Sequence, residues 1–239
     1  MRLDNYLVEK NFFDSRTKAK QAIERGEIFI NSKKVTKSSF DIKDENVEIK
    51  HVYENKFVSL GGYKLEKAIN DFNFNVKDLI VADIGASTGG FTDCLLQNGA
   101  KKVFAVDLND GLLHSKLKCD NRVKLIVKNA KDLTLNDFDC TLDLIVADLS
   151  FISITQVLST FSKLLTAKKN MILLIKPQFE LGEHKRFKNG IIKDKKIHEK
   201  VCKNVIDFAK QNNLEKICIT TAPINENKNL EFLVLLQKN

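Results

Sequence analysis

Ten consecutive residues, Asp83-Ile84-Gly85-Ala86-Ser87-Thr88-Gly89-Gly90-Phe91-Thr92, carry the clearest chemistry in this chain. They follow the apolar run at residues 79–82 and lead into Phe91, Cys94, Leu95 and Leu96, which recur with helical spacing. A buried strand, a tight glycine turn and a helix start form the geometry in which an α/β sheet holds a nucleotide-like cofactor. Ser87 stands where the G-x-G-x-x-G fingerprint needs a second glycine to admit a pyrophosphate. An aspartate at the strand end, just before the glycine, suits an ammonium group better than a diphosphate. Together these features point to S-adenosylmethionine, which carries an amino acid and a sulfonium but no phosphate. Asp83, Gly85, Ala86, Ser87, Gly89, Gly90 and Phe91 are the candidate donor-holding residues.

Two more carboxylates fall at strand ends. Asp107 lies 22 residues beyond Gly85, the interval expected of an acid that accepts from both ribose hydroxyls. Asp148 ends the fourth apolar run of the larger domain, and either Asn129 or Asp132, after the third, is the candidate adenine contact. The plainer reading of Asp83 and Asp107 is that they cap loop amides.

Methyl transfer from a sulfonium is an in-line displacement whose donor is already activated, so the protein must position the nucleophile and take its proton. Lysine can serve as that base when partly desolvated and near another cation. Lys176 ends the fifth apolar run, and Lys64 opens a helix after Gly61-Gly62; both interrupt apolar surroundings at element ends. A snorkelling surface lysine is the plainer alternative for each.

The elements that must hold these groups can be read in outline. From about residue 61, apolar runs at 79–82, 103–106, 123–127, 142–147, 171–175 and 217–219 alternate with helical patterns, as in a parallel sheet covered on both faces. A last run, 231–236, follows only a loop and is expected to pair antiparallel with the strand before it. The fold class is therefore α/β: a Rossmann-like, seven-stranded methyltransferase sheet, preceded by a small α+β domain at residues 1–51 and a linker at 52–60.

The small domain has its own pattern. Leu3, Tyr6, Leu7 and Lys10 give a first helix; Ser15 caps a second that carries Ala19, Ala22 and Ile23 and stops at Gly26. A hairpin around Asn31-Ser32 follows, and residues 47–49 close the unit. Between residues 16 and 37 stand seven basic residues, among them Arg16, Lys18, Lys20, Lys33 and Lys34, against two acids. That concentration suits a phosphate backbone, although a solvated helix face would look alike. The pattern R-L-D-x-x-L…S-R-T-K-A…G-x-I-x-I-N, from Arg2 to Asn31, resembles the RNA-binding module first seen in the fourth small-subunit ribosomal protein. The resemblance implies that Arg2, Arg16, Lys18 and Lys20 face structured RNA.

The whole chain of 239 residues carries a net charge of +8, consistent with an anionic partner. Five cysteines show no C-x-x-C and no close pair, which argues against a structural metal. No signal core and no run of about 18 apolar residues is present, so a cytoplasmic protein is expected.

Lys64, Asp148, Lys176 and Glu231 resemble the Lys-Asp-Lys-Glu tetrad of FtsJ-type ribose 2′-O-methyltransferases. With V-S-x-G-G-Y-K-L, D-I-G-A-S-T-G-G-F-T-D, D-x-S-F-I-S and K-P-Q-F-E, the chain resembles the TlyA (hemolysin A) family over almost its full length. That resemblance implies S-adenosylmethionine-dependent 2′-O-methylation of a cytidine in ribosomal RNA, free or in a subunit. Lys176 is read as base, Asp148 as its orienter, and Lys64 with Glu231 as shaping the acceptor site. Leu60 departs from the family's arginine, and residues 107–111 from its Asp-x-Gly-Tyr-Gly. The short ends resemble the type that acts on the large subunit only. A second basic patch, including Lys185, Arg186 and Lys188, is expected to order on RNA beside the site. The competing readings are a membrane-active hemolysin, a non-catalytic RNA-binding scaffold and an NAD-linked oxidoreductase.

Overall fold

The computed structural model describes residues 1–13, 15–24, 26–42, 47–51, 56–181, 190–223 and 228–239. The chain divides into two compact units, Met1–Lys56 and Phe57–Asn239.

In the smaller unit, α1 (Leu3–Glu9) and α2 (Arg16–Glu24) are followed by β1 (Ile28–Ile30), β2 (Lys33–Val35) and β3 (Ile49–His51). The three strands form an antiparallel sheet in the order β2-β1-β3. Ser15 Oγ accepts from the Lys18 amide at 3.3 Å, so it caps α2, and Gly26 ends that helix at φ +75°. Asn31 and Ser32 both have positive φ, the backbone of a two-residue hairpin turn that matches strand twist. Leu3, Leu7, Ala19, Ala22, Ile23 and Ile28 are fully buried together and hold the helices on the sheet.

The larger unit consists of α3 (Gly61–Asp71), β4 (Ile80–Ile84), α4 (Gly90–Gln97), β5 (Lys102–Asp107), α5 (Ser115–Lys118), β6 (Val123–Val127), β7 (Leu144–Ala147), α6 (Thr155–Leu164), β8 (Asn170–Ile175), α7 (Pro177–Glu180), α8 (Lys195–Gln211), β9 (Leu214–Thr221) and β10 (Phe232–Lys238). The sheet runs β6-β5-β4-β7-β8-β10-β9. Strands β4 to β8 are parallel, and β10 lies antiparallel between β8 and β9. Alternate residues feed opposite faces. Ala82, Ile84 and Ile145 pack with Leu158, Phe161 and Val205 from α6 and α8, whereas Val81, Leu144 and Val146 pack with Leu65, Ala68 and Leu95 from α3 and α4.

Strand order reverses between β4 and its neighbours β5 and β7, which opens the crevice where α/β sheets place ligands. Two boundaries differ from the sequence reading. Strand β9 spans eight residues, Leu214–Thr221, and outruns the apolar run at 217–219 because Glu215 and Lys216 are exposed at the sheet edge and lack the apolar signal. Within the stretch read as a linker, residues 57–60 belong to the larger unit. Phe57 is 1% exposed and packs in the α3 layer.

Candidate active site

The glycine turn after β4 is held by backbone. The amides of Gly85 and Ala86 both donate to Val106 O, at 2.9 and 3.0 Å. Gly85 has φ +85°, and a Cβ there would lie 2.7 Å from the Asp148 carbonyl, so only glycine lets β4 and the end of β7 approach this closely. Ser87 also lies in the left-handed region, at φ 50°.

Lys64 is placed by an equally tight contact. A Cβ on Gly62 would meet the Phe57 side chain at 2.3 Å, and one on Gly90 would meet Ser59 Oγ at 2.3 Å. The first turns of α3 and α4 can therefore touch, and Lys64, in the first turn of α3, lines the same cavity as the glycine turn. Lys176 is fixed differently. It is extended (φ −111°, ψ 100°), as a residue before proline must be, and Pro177 then begins α7.

These placements bring the four tetrad side chains together. Lys64 Nζ lies 2.7 Å from Glu231 Oε2 and 3.6 Å from Asp148 Oδ2. Lys176 Nζ lies 2.5 Å from Asp148 Oδ1, a contact whose angles fall outside a hydrogen bond, and donates to Ser150 Oγ at 2.8 Å. Gln178 Nε2 reaches Glu231 Oε1 at 3.5 Å. Lys176 is only 7% exposed. Burial disfavours the charged form of Lys64, but the Asp148 and Glu231 carboxylates outweigh it and hold its pKa above the ordinary lysine value.

A cavity of about 280 Å³ is lined by all four tetrad residues and by Gly85, Ala86, Ser87, Gly90 and Phe91. A second, of about 620 Å³, shares Gly85, Ser87, Asp148 and Ser150 with the first and extends past Asp107 to Asn129. The pair forms one bent groove along the carboxyl ends of β4, β5 and β7. Its polar end holds the tetrad, and its more apolar end holds Leu108, Leu112 and Phe151.

Three expected donor residues have different places. Asp83 does not line the groove. It is fully buried beneath the turn, where Oδ2 accepts from Thr92 Oγ1 at 2.6 Å and Oδ1 has no hydrogen-bond partner. Burial pushes its pKa up to about 7, against the Thr92 hydrogen bond and with help from the Asp148 and Asp107 charges. Gly89 caps α4 at φ +95° and also lies off the groove; a Cβ there would meet Leu117 at 2.2 Å. Asp132 is exposed and lines neither cavity, whereas Asn129 lines the second and caps the Lys131 amide at 3.0 Å.

Asp107 serves the loop, as the plainer reading held: its oxygens accept from the Ser87 amide at 2.8 Å and the Asn109 amide at 3.2 Å. It also lines the second cavity, and each carboxylate oxygen keeps a further lone pair for a ligand. Ser150, Phe151 and Asn229 were not singled out by sequence, although Ser150 and Phe151 lie within the D-x-S-F-I-S motif. Phe151 is 90% exposed at φ +64°, an unusual backbone for a bulky aromatic, and its ring lies 5.2 Å from that of Phe179.

The smaller unit carries its own charged cluster. Asp4, 1% exposed, accepts from Arg2 Nε and Nη2, both at 3.0 Å, and from Arg16 Nε at 2.9 Å. The hydrogen bond from Arg2 holds its pKa down to about 2, against burial and with Arg16 adding to the effect. Lys18 is exposed, Lys20 lies 3.7 Å from Glu24, and Lys33 and Lys34 are on β2. Lys185, Arg186 and Lys188 lie outside the described residues.

Family models match both units: an S4 domain over residues 1–49 and an FtsJ-like methyltransferase over residues 57–239. The chain is 43% identical to Hemolysin A of Brachyspira hyodysenteriae, covering 98% of each protein. It is 34% identical to the 23S rRNA (cytidine-2′-O)-methyltransferase TlyA of Campylobacter jejuni, covering 88% of this chain and 87% of that one. Identity to the 16S/23S rRNA (cytidine-2′-O)-methyltransferase TlyA of Mycobacterium tuberculosis is 31%, over 99% of this chain and 89% of that one. A solved Streptococcus thermophilus structure bearing the hemolysin name superposes with a TM-score of 0.78 at 38% identity, covering all of this chain and 88% of that one. At 12% identity, an S-adenosylmethionine dependent methyltransferase from Mesorhizobium loti shares the fold, with a TM-score of 0.56 over 75% of this chain and all of that one. With its S4 domain ahead of this sheet, the chain belongs to the FtsJ-like methyltransferase family.

Proposed function

We propose that this protein transfers a methyl group from S-adenosylmethionine to the 2′-hydroxyl of a cytidine in ribosomal RNA, with large-subunit RNA as the favoured substrate. The observation that carries this reading is the convergence of Lys64, Asp148, Lys176 and Glu231 on one cavity beside the glycine turn. The groove also suits the donor. Asp83 leaves one buried oxygen unpartnered beneath the turn, a feature that favours a cationic ligand group above it. Gly85, Ala86 and Ser87 would hold its amino-acid end, and Asp107 with Asn129 its adenosine end.

When bound, S-adenosylmethionine supplies an electrophilic methyl whose carbon–sulfur bond breaks with its electron pair going to sulfur. The protein's own task is then position and proton. Lys64 faces two carboxylates and stays an ammonium, so it orients the acceptor and does not accept a proton. Lys176, buried at the strand end against Asp148, is the tetrad's other amine, and its Nζ takes the hydroxyl proton as the oxygen bonds the methyl carbon. Asp148 holds Lys176 and stabilises the ammonium that results.

The S4 domain supplies cations for an RNA backbone through Arg2, Arg16, Lys18, Lys20, Lys33 and Lys34. Some relatives carry the hemolysin name, but among the described residues no helix is long and apolar enough to cross a membrane. The intact tetrad favours an enzyme over a scaffold. Incubating pure protein with labelled donor and ribosomal RNA tests the reading. Methyl label recovered on cytidine 2′-oxygens supports it, and label on bases, or none, contradicts it. Dye leakage from liposomes, with no methylation, would favour the membrane-active alternative.

A further inference from the structure

Lys176 has two polar contacts of different kinds. The one to Asp148 is a 2.5 Å ion pair without hydrogen-bond alignment, and the one to Ser150 is a 2.8 Å hydrogen bond in which Nζ donates to Oγ. Ser150 is exposed and lines both cavities, together with Gly85, Ser87 and Asp148. It therefore stands at the join between the donor end and the tetrad end of the groove. The next residue, Phe151, turns the loop sharply through its left-handed backbone.

A neutral primary amine has one lone pair and rotates about its Cε–Nζ bond. An ion pair depends on charge and distance and fixes that rotation weakly, whereas a hydrogen bond is directional. We propose that Ser150 is a positioning residue for the methyl transfer: by accepting from Lys176 Nζ, its hydroxyl turns the amine's lone pair toward the acceptor oxygen. Asp148 and Ser150 thus divide the work, the carboxylate answering the charge and the hydroxyl setting the angle. This rests on Lys176 being the base. It explains why a serine occupies a site where a carboxylate already faces the amine.

The test compares Ser150→Ala, Ser150→Thr and Lys176→Ala with the wild type in the full chain. Single-turnover methylation of ribosomal RNA is measured at saturating donor and RNA, with KM for RNA and donor affinity by calorimetry. Ser150→Ala should slow the single-turnover step about tenfold, the order of one lost hydrogen bond, while KM and donor affinity stay within about twofold. Ser150→Thr keeps the hydroxyl and should recover most of the rate. A wild-type rate in Ser150→Ala overturns the proposal if Lys176→Ala is inactive. So does a loss of donor affinity parallel to the loss of rate, because Ser150 would then belong to the donor site. A Lys176→Ala protein that keeps the wild-type rate removes the base assignment itself, and the role of Ser150 with it.

Discussion

Lys64 and Glu231 stand 167 residues apart in sequence and 2.7 Å apart in space. The pair links the first turn of α3 to the residue before β10. It also separates the two lysines of the tetrad: Lys64 has Glu231 and Asp148, while Lys176 has Asp148 and a hydroxyl. Glu231→Gln should therefore keep the fold and donor binding but lower methylation by about 10²-fold, through a misplaced acceptor. RNA methylation and calorimetry on one preparation check this. Unchanged turnover would remove Glu231 from the site.

Gly62 is expected to be irreplaceable for a steric reason. A Cβ would sit 2.3 Å from Phe57, which is almost fully buried, so one of them must shift. Gly62→Ala should cost about 1–3 kcal/mol of stability in the larger unit. It should also reduce methylation by moving Lys64. Thermal unfolding together with an activity assay reads both effects.

Asp83 makes the larger unit and its donor site sensitive to pH. Its folded pKa is raised to about 7. Its contribution to stability is therefore full below about pH 4, the range of a free carboxyl, and is lost as pH rises through about 7. A cationic donor favours the ionised form, so donor affinity should strengthen between pH 6 and 8. Unfolding midpoints and calorimetric titrations across that range test both signs, and a flat donor affinity would contradict the second.

In the smaller unit the sign is reversed. Asp4 is held down to about 2 by Arg2 and Arg16, so its contribution is present above about pH 4 and lost as pH falls toward 2. Asp4→Asn should destabilise that unit near neutral pH and loosen both guanidinium groups. Lys33→Glu, at an exposed position on β2, should leave the fold intact while weakening RNA binding and flattening its salt dependence by roughly one to two phosphate contacts. Binding measured at several salt concentrations distinguishes the two variants.

Much of this molecule was legible in the residues. The apolar runs gave the sheet because parallel strands are buried on both faces, and the final antiparallel pairing followed from the missing helix before residue 231. The tetrad came from resemblance to a family, since spacing alone cannot bring residue 64 to residue 231. What stayed hidden depended on depth and direction. Asp83 reads as a ligand-facing strand end but lies on the α4 side, beneath the turn. Asp132 and Asn129 were indistinguishable until the short turn at Ala130–Asp132 set one toward the groove. Ser150 carried no signal of its own, because its partner Lys176 lies 26 residues further along the chain.

The most direct test of the central claim is a single comparison. Wild-type and Lys176→Ala proteins are given ribosomal RNA and labelled donor, and 2′-O-methylcytidine is quantified after complete digestion while donor affinity is measured in parallel. The account expects 2′-O-methylcytidine from the wild type and at least about 10³-fold less from Lys176→Ala, with donor affinity within about threefold. Equal yields of 2′-O-methylcytidine from the two proteins would contradict it.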